Sequence, residues 1–419
     1  MSSDSENSVQ DRIDHLFRQH AGQMVSVLCR IFGIEKIELI EDAVQDSLIE
    51  AMKKWPFGGV PGNPLAWLIQ TAKNKLLDEL RRRKFSVDLD GLAIEPYLQS
   101  GTELAFLSGE IAEDQLRMMF ACCDPLISPD SQVALTLKTV GGFTVSEIAR
   151  AYLANEETIA KMLTRAKQKL MNGRIKLEIP NGKQLTNRRD AVLRVLYIMF
   201  NEGYAATEGQ DLIRTDLCFE AIRLGKIVSE HHLTTAPKVN AVLALFLFQA
   251  ARIKSRTGGN GEIILLSEQD RSKWDYQLLA EALERFRSSA AGDELSDYHI
   301  EAEIASHHAF AQGNTTDWHR IIECYDILQS RRFSPIVELN RIVAIGKLDG
   351  PEAALADLTE LGGNYLMTSF NLFHIVLGHF LRESGDNDEA AKAFSRALEL
   401  THNESVKRFI SNSFNELAR

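Results

Sequence analysis

The sequence has little of what export or membrane insertion requires. Its N-terminal segment is polar and acidic, with neither a cationic start nor an apolar run, so no secretory signal is expected. No apolar run reaches the roughly 18 residues that a membrane span needs. The longest candidate, 241–251, has the length of a core helix. We therefore expect a cytoplasmic protein that makes no contact with a membrane.

Cysteine is also scarce, with five residues in a chain of 419, mostly inside apolar segments. Without an export signal, these thiols are expected to stay reduced rather than to form disulfides. The adjacent Cys122 and Cys123 cannot easily share one metal ion on a helix, which favours a buried pair of thiols over a metal or redox site. The sequence therefore predicts no metal site and no cofactor.

Positive charge is rare overall but locally concentrated. The formal net charge is −11, and neither half of the chain is basic. Residues 73–84 nevertheless hold six cations against two acids, and residues 161–176 hold six cations and no acid. Two basic segments on an acidic body suggest two separate contacts with a polyanion. Either segment alone would be read as a solvated helix face.

Helical periodicity dominates the first part of the chain. One apolar stripe is formed by Ile40, Ala43, Val44, Leu48, Ala51 and Trp55. The Pro/Gly-rich segment 56–64 is expected to end that helix, and Asn63-Pro64 offers a cap and a first-turn proline for the next. The next helix has a core stripe, which leaves a second stripe facing solvent, namely Trp67, Thr71, Asn74, Asp78 and Arg81. Residues 85–108 lose this periodicity and are expected to form a linker.

Residues 143–170 have a helix-turn-helix pattern. Ile148, Ala149 and Tyr152 would pack the first helix, and residues 153–155 would form the turn, with Asn155 tolerating a positive φ. In the second helix the residues expected to be buried are Ile159, Leu163 and Ala166. The residues expected to face outward are Glu156, Glu157, Lys161, Thr164, Arg165 and Gln168. The pattern is moderately specific, because many buried helix pairs resemble it.

After a boundary near 179–184, the remainder also reads as helical. Three weakly repetitive segments lie near 299–328, 335–361 and 370–400, with turns marked by Gly313, Gly350 and Gly385. The small-residue pattern of the last segment is similar to a tetratricopeptide hairpin. Such hairpins bury their faces only by stacking, so a short array is expected.

The order of these elements resembles the extracytoplasmic-function sigma factors of bacterial RNA polymerase. DAVQDSL (42–48) is similar to the helix of that family that binds core polymerase. AWLIQTAKNKLLDELRR (66–82) is similar to its −10-element helix, and the helix-turn-helix corresponds to its −35 reader.

The resemblance extends to one subgroup with a long tetratricopeptide-like C-terminal extension. Three segments carry it: VLYIMFNEGY (195–204), LIRTDLCFEAIRL (212–224) and LLSEQDRSKWD (265–275). Members of that subgroup are often encoded beside a small YCII-related (DGPF-type) protein. One departure is Cys-Cys-Asp-Pro at 122–125, where the family pattern has His in place of Asp124.

The resemblance implies an all-α protein with five parts. These are a sigma-2-like domain at 10–85, a linker at 86–109, a sigma-4-like helix-turn-helix domain at 110–178, a helical extension at 185–290, and tetratricopeptide-like repeats at 291–419. The implied function is a promoter-specificity subunit without catalytic residues. Core RNA polymerase (its β′ clamp and β flap) and promoter DNA are the implied partners, with an intramolecular contact between the sigma core and the extension. Whether a YCII-related protein binds stays open.

The resemblance also implies roles for individual residues, according to their positions in the matching motifs. The residues implied in polymerase binding are Glu41, Asp42, Gln45 and Asp46. Those implied at the −10 element are Trp67, Thr71, Asn74, Asp78, Arg81, Arg82, Arg83 and Lys84, although Asp78 also suits an ion pair with Arg81 or Arg82 within the helix. Those implied at the −35 element are Thr158, Lys161, Thr164, Arg165, Gln168 and Lys169, while Lys167 and Arg174 would touch phosphate. The extension motif comprises Asn201, Glu202, Arg214, Asp216, Asp270 and Arg271.

Two other functions are kept as alternatives. One is a helix-turn-helix regulator with a tetratricopeptide-like sensor that does not act as a sigma factor; it would have no need of the acidic helix at 41–46. The other is a hydrolase or ligand-binding activity within 185–290, because the extension motif, with Asp211, places carboxylates near arginines. Helix caps and ion pairs would explain the same residues, and no nucleophile–base pair accompanies them.

Overall fold

The computed structural model describes residues 20–86, 108–152, 154–172, 174–206, 208–209, 212–259, 261–311, 316–364 and 366–417. Two compact units divide the chain, Met1–Leu196 and Tyr197–Arg419. The described residues are almost entirely helical, which confirms the all-α prediction. The predicted linker at 86–109 lies, except for its ends, outside the described residues, as do Asp211 and Gly313.

The first unit contains the helices that carry the predicted binding residues. Helix α1 covers 20–32. It is followed by α2 (Ile37–Gly58), α3 (Pro64–Ser86), α4 (Ser108–Cys122), α5 (Pro129–Thr139), α6 (Val145–Ala151), α7 (Glu156–Met171) and the start of α8 (Lys183–Tyr204). A 3₁₀ turn, Ile34–Lys36, precedes α2.

The apolar stripes predicted for α2 and α3 form the contact between these two helices. Ile40, Ala51 and Trp55 are buried on α2, and Leu68 and Ile69 are buried on α3. One boundary is wrong: α2 does not end at Pro56 but continues to Gly58. Pro56 lies in the last turn, and the helix ends at Gly59, whose φ of +79° suits a residue without a Cβ.

Within the described residues, the second unit begins in α8 and continues through ten α-helices. Two of its connections meet and form a small pair of strands. The helices are α9 (Thr215–Glu230), α10 (Pro237–Ala250), α11 (Tyr276–Ser289), α12 (Asp297–Phe310), α13 (Trp318–Arg331), α14 (Pro335–Asp349), α15 (Pro351–Leu361), α16 (Asn371–Glu383), α17 (Asn387–Leu400) and α18 (Glu404–Glu416). Strands β1 (Glu208–Gly209) and β2 (His402–Asn403) pair in parallel. Asn403 also donates to the carbonyl of Ala206 at 3.0 Å.

Helix pairs occupy the segments that the sequence marks as weakly repetitive. Gly350 joins α14 to α15 with a φ of +99°, and Gly385 joins α16 to α17 with a φ of +89°. Within the last pair, Gly378 of α16 faces the ring of Phe394, and a Cβ at this position would lie 2.7 Å from that ring. The small residue therefore sets how closely these helices approach. Among the described helices, none is both long enough and apolar enough to cross a membrane.

Candidate nucleic-acid and polymerase interface

The predicted polar face of α3 begins at a capped N-terminus. The side chain of Asn63 accepts a hydrogen bond from the backbone of Ala66 at 3.1 Å, ahead of Pro64, as the sequence suggested. Trp67 is less exposed than expected for a solvent-facing residue. Its ring is half-buried and meets the ring of Trp55 edge-on, with 5.6 Å between centroids. Part of one indole face is therefore used for packing between α2 and α3.

Further along α3 the polar face is open. Asn74 is exposed and accepts a hydrogen bond from Gln70 at 3.0 Å, while the half-buried Thr71 bonds back to the carbonyl of Trp67. Both contacts are local to the helix. Exposed contacts of this kind are readily exchanged for a ligand, because water can replace them while the ligand approaches.

Cations at the end of α3 are exposed and form local ion pairs. Arg81 bonds Asp78 at 3.1 Å, which confirms the expected pairing within the helix. Arg82 pairs with Glu79 at 3.1 Å. Lys73, by contrast, is buried and lies away from this cationic surface, because it falls on the same side of the helix as the core stripe. The side chains of Arg83 and Lys84 lie outside the described part of the chain.

The last turn of α2 and the connection to α3 present apolar side chains to solvent. Phe57 is 93% exposed, and Val60 is 57% exposed. An aromatic residue this open is available for stacking or insertion. The sequence pointed to the loop 56–64 but not to Phe57. The available signal was a single aromatic residue inside an otherwise Pro/Gly-rich stretch.

A polar groove of about 380 Å³ lies between α2 and α3. Asp42 and Asp46 line it on one side, while Asp78, Glu79 and Arg82 line it on the other. Asp42, Gln45 and Asp46 are exposed, so three of the four residues predicted to bind polymerase are accessible.

The fourth residue of that set, Glu41, is not accessible in the same way. Its carboxylate accepts a hydrogen bond from Lys167 of α7, and both side chains are largely shielded from solvent. The sequence placed Glu41 on a polymerase-binding face and Lys167 against phosphate. In this conformation each residue neutralises the other, which the sequence could not indicate across a separation of 126 positions.

A second long-range ion pair within the first unit joins α1 to α4. Arg30 of α1 bonds the carboxylate of Asp114 of α4 at 2.7 Å, and Arg117 bonds its other oxygen at 3.1 Å. The side chain of Asp114 is only 1% exposed. Loss of hydration raises the pKa of Asp114, although the two guanidinium groups act in the opposite direction.

Helix α7 presents its polar residues as predicted. Ile159, Leu163 and Ala166 are buried. The exposed residues are Glu156, Glu157, Thr158, Lys161, Thr164, Arg165, Gln168 and Lys169. Lys161 pairs with Glu157 at 2.6 Å, and the Lys169 ammonium donates to the carbonyl of Leu126.

The connection before α7 differs from the prediction. Asn155 has a φ of −74° rather than a positive value, and its side chain accepts a hydrogen bond from the backbone of Thr158. Asn is therefore present here as a helix cap and not as a residue that tolerates the left-handed region. Beside α7, a cavity of about 430 Å³ is lined by the segment 127–131 and by Thr158, Lys161 and Arg165.

The adjacent cysteines are buried thiols, as predicted. The sulfur of Cys122 lies 3.1 Å from the hydroxyl of Thr139, and burial raises the pKa of Cys122 to about 12. A thiol with such a pKa stays protonated near neutral pH and reacts slowly. Asp124, the departure from the family pattern, lies 3.3 Å from Arg188 of α8.

The residues of the extension motif have structural contacts of several kinds. Asp270 caps the short 3₁₀ helix Arg271–Lys273, and Arg271 donates to the carbonyls of His308 and Ala309. The backbone of Arg214 bonds the carbonyl of Gly203 at 2.7 Å where α9 begins. Asn201 is exposed, while Glu202 and Asp216 are half-buried. These contacts agree with the interpretation of the motif as caps and packing residues.

Comparisons with known proteins give two matched regions. Residues 16–86 match the model of sigma-70 region 2, and residues 188–290 match a family of unknown function (DUF6596). An uncharacterized protein of Rhizobium meliloti is 36% identical over 400 residues, which cover 94% of this chain and 93% of that protein. No solved structure matches.

Proposed function

The chain belongs to the sigma-70 family of RNA polymerase sigma factors, and from this premise we propose that it is a promoter-specificity subunit of the extracytoplasmic-function type. A sigma-70 region 2 implies contact with core RNA polymerase and promoter DNA, and the family is not a family of enzymes. The proposal assigns the −10 element to α3 and the −35 element to α7.

The observation that carries the −10 assignment is the surface formed by α3 and the loop before it. Exposed Asn74, Arg81 and Arg82 lie on the same helix as half-buried Trp67, and Phe57 is open to solvent in the last turn of α2. Melting a promoter takes bases out of the stack at a cost of a few kcal/mol each. Aromatic side chains offset part of this cost, at about 1–3 kcal/mol per stacked base. Asn74 would read a base edge, and the arginines would hold phosphates.

The −35 assignment rests on the exposed face of α7. Arg165 is exposed and would read guanine from the major groove, where a bidentate arginine contributes about 1–3 kcal/mol of discrimination. Lys161 and Thr164 flank it on the same face. Lys169 would contact phosphate, which positions the helix without reading sequence.

The polymerase-binding assignment rests on the acidic face of α2. Asp42, Gln45 and Asp46 present carboxylates and an amide to solvent and suit a basic groove on the β′ clamp of polymerase. The −35 module would meet the β flap. Asp42 and Asp46 also line the groove shared with α3, so polymerase binding and −10 recognition would use adjacent surfaces.

The extension is proposed to act as a built-in regulator. Its helix pairs are of the kind that tetratricopeptide-like arrays stack into a concave binding surface. Its targets would be the sigma core, the polymerase or a YCII-related protein. A regulator that binds promoters without acting as a sigma factor is the second candidate; the exposed Asp42, Gln45 and Asp46 favour the sigma factor over it.

Single-round transcription with purified core polymerase tests the proposal. The template is DNA from upstream of the protein's own gene, and the samples are the full-length protein, the double variant Asp42→Ala/Asp46→Ala and the control Glu38→Ala. Glu38 is an exposed acid near the start of α2 outside the predicted motif. A transcript that requires the protein, disappears in the double variant and persists in the control is expected. Promoter binding without any transcript would support the regulator instead.

A further inference from the structure

Arg256 is a partly buried cation in the second unit that has no acidic partner among the described residues. Its guanidinium carbon lies 3.6 Å from the centre of the Tyr204 ring, and the group also donates to the carbonyl of Tyr204. Across the described residues, no carboxylate forms an ion pair with Arg256 or with Arg252. Burial lowers the pKa of Arg256. An isolated buried cation is costly, so its retention calls for a compensating charge.

A second arginine extends the positive region. The guanidinium carbon of Arg252 lies 5.7 Å from the centre of the same Tyr204 ring. The pKa of His308 is lowered to about 4. Burial is the largest cause, and the charge of Arg252 lowers it further. Arg271 acts on His308 in the same direction, but its own donors are used by carbonyls. Two arginines therefore flank Tyr204, and no carboxylate in the described part of the chain pairs with either of them.

Two buried polar atoms of residues beside these arginines have no hydrogen-bond partner among the residues that the structure describes. They are the hydroxyl of Tyr204, a residue only 9% exposed, and Nδ1 of His308. A buried polar atom left unpaired costs about 1–3 kcal/mol, and native proteins keep few of them. Tyr204 stacks on Phe200, which stacks on Phe246 with 4.3 Å between centroids. The tyrosine is thus held on a rigid aromatic base while its hydroxyl stays unsatisfied.

We propose that Tyr204, Arg252 and Arg256 form a binding site for a small anion that carries a carboxylate or phosphate group. Guanidinium groups are the side chains best suited to such oxygens, because their N–H donors match the geometry of both groups. The same oxygens would accept the Tyr204 hydroxyl proton, which satisfies the orphan donor. His308 and Arg271 would border the site. The three residues lie in the segment that matches the family of unknown function.

Calorimetric titration of the full-length protein tests this site. The probes are inorganic phosphate and succinate, each at the same ionic strength as a sodium chloride blank. The variants are Arg252→Gln, Tyr204→Phe and the control Lys254→Gln, an exposed cation between the two arginines. Saturable binding of one probe is expected, weakened at least about tenfold by Arg252→Gln and by Tyr204→Phe but unchanged by the control. The preferred probe identifies the chemical class.

The result that overturns the proposal is saturable binding of neither probe, or equal binding by all four proteins. Tyr204→Phe guards against a folding artefact, because it removes only a hydroxyl without a partner. Its melting temperature without anion should equal or exceed that of the wild type. If Arg252→Gln does not fold, Tyr204→Phe decides alone. Polymerase and DNA are absent from the titration, so its outcome is independent of the transcription assay.

Discussion

In the first unit the buried carboxylate of Asp114 lies between Arg30 and Arg117, whereas in the second unit the guanidinium of Arg256 stacks on a tyrosine and has no acid beside it among the described residues. Glu301 extends the contrast. Its carboxylate is bonded by the hydroxyl of Tyr197 at 2.8 Å, and among the described residues no cation pairs with it. The Asp114 carboxylate is thus paired within the first unit, whereas Arg256 and Glu301 of the second unit form no ion pair among the described residues.

The difference separates charges used for packing from charges available to a ligand. A buried pair contributes little net stability, but it joins the helices that carry it and is costly to break on one side. A single buried charge lowers stability until something binds it, and such local violations are expected at functional sites. The contrast therefore favours packing roles for Arg30 and Asp114 and a binding role for Arg256.

Breaking the pair in the first unit should give the largest effect. Arg30→Met leaves the buried Asp114 carboxylate with Arg117 alone, and we expect it to lower the free energy of unfolding by about 3 kcal/mol. Urea denaturation of the full-length protein measures this. The double variant Arg30→Met/Asp114→Leu should recover most of the loss, because it removes both charges. Arg81→Met, at an exposed pair, should cost less than about 1 kcal/mol. A similar loss in the single and double variants would contradict the pairing.

The isolated carboxyl in the second unit should make stability depend on pH. Burial raises the pKa of Glu301 to about 7, above its ordinary value, so the folded state binds a proton that the unfolded chain releases. The contribution of Glu301 to the free energy of unfolding is fully present below about pH 4.5 and is lost as the pH rises through about 7. Glu301→Gln should thus be more stable than wild type by on the order of 2 kcal/mol near pH 8, and about equal near pH 4. Urea unfolding at both pH values measures this, and equal curves at both would contradict it.

Removing the isolated cation should have a smaller effect on stability. Arg256→Met replaces an unpaired buried charge by an apolar side chain of similar length, so without anion the free energy of unfolding should stay within about 1 kcal/mol of wild type or rise. Thermal unfolding measures the change. A loss as large as that of Arg30→Met would show that Arg256 is as necessary for packing as Arg30, and the contrast between the two units would fail.

The smallest effect is expected at the contact between α2 and α7. Glu41→Gln releases Lys167 from its partner, so the protein without polymerase should bind promoter DNA about two- to threefold more tightly, a change of about 0.5 kcal/mol. Fluorescence anisotropy at low salt measures this. Glu38→Gln, which removes an exposed charge from the same helix, is the control for net charge. Equal affinities for both variants would show that Lys167 does not contact DNA.

The sequence was a good guide where side chains repeat along one helix. The buried face of α7 and the apolar stripes of α2 and α3 follow from a period of 3.6 residues, because apolar positions with that spacing must share one side. The same rule explains the exposed Arg165 and the ion pair between Asp78 and Arg81. The conformation of single residues in connections was harder to predict. An Asn such as Asn155 can either cap a helix or adopt a left-handed turn, and only the structure shows that it is a cap.

Contacts between distant segments were beyond the sequence. Nothing near Glu41 indicates that Lys167 will approach it, and nothing near Tyr204 indicates Arg252 or Arg256. A weak signal existed for the anion site, since ARIKSR (251–256) places three cations without an acid directly after an apolar helix. Only the structure shows what this segment does, because the same sequence could form either an exposed cationic turn or a buried one.

The ion pair between Glu41 and Lys167 must be broken before polymerase can bind Glu41 or DNA can bind Lys167. If polymerase takes Glu41, Lys167 is released for DNA, and if DNA takes Lys167, Glu41 is released for polymerase. Each ligand then lowers the cost of binding the other, and thermodynamic linkage requires the two effects to be equal. This one ion pair would thus make promoter affinity a property of the assembled polymerase, without any separate inhibitor.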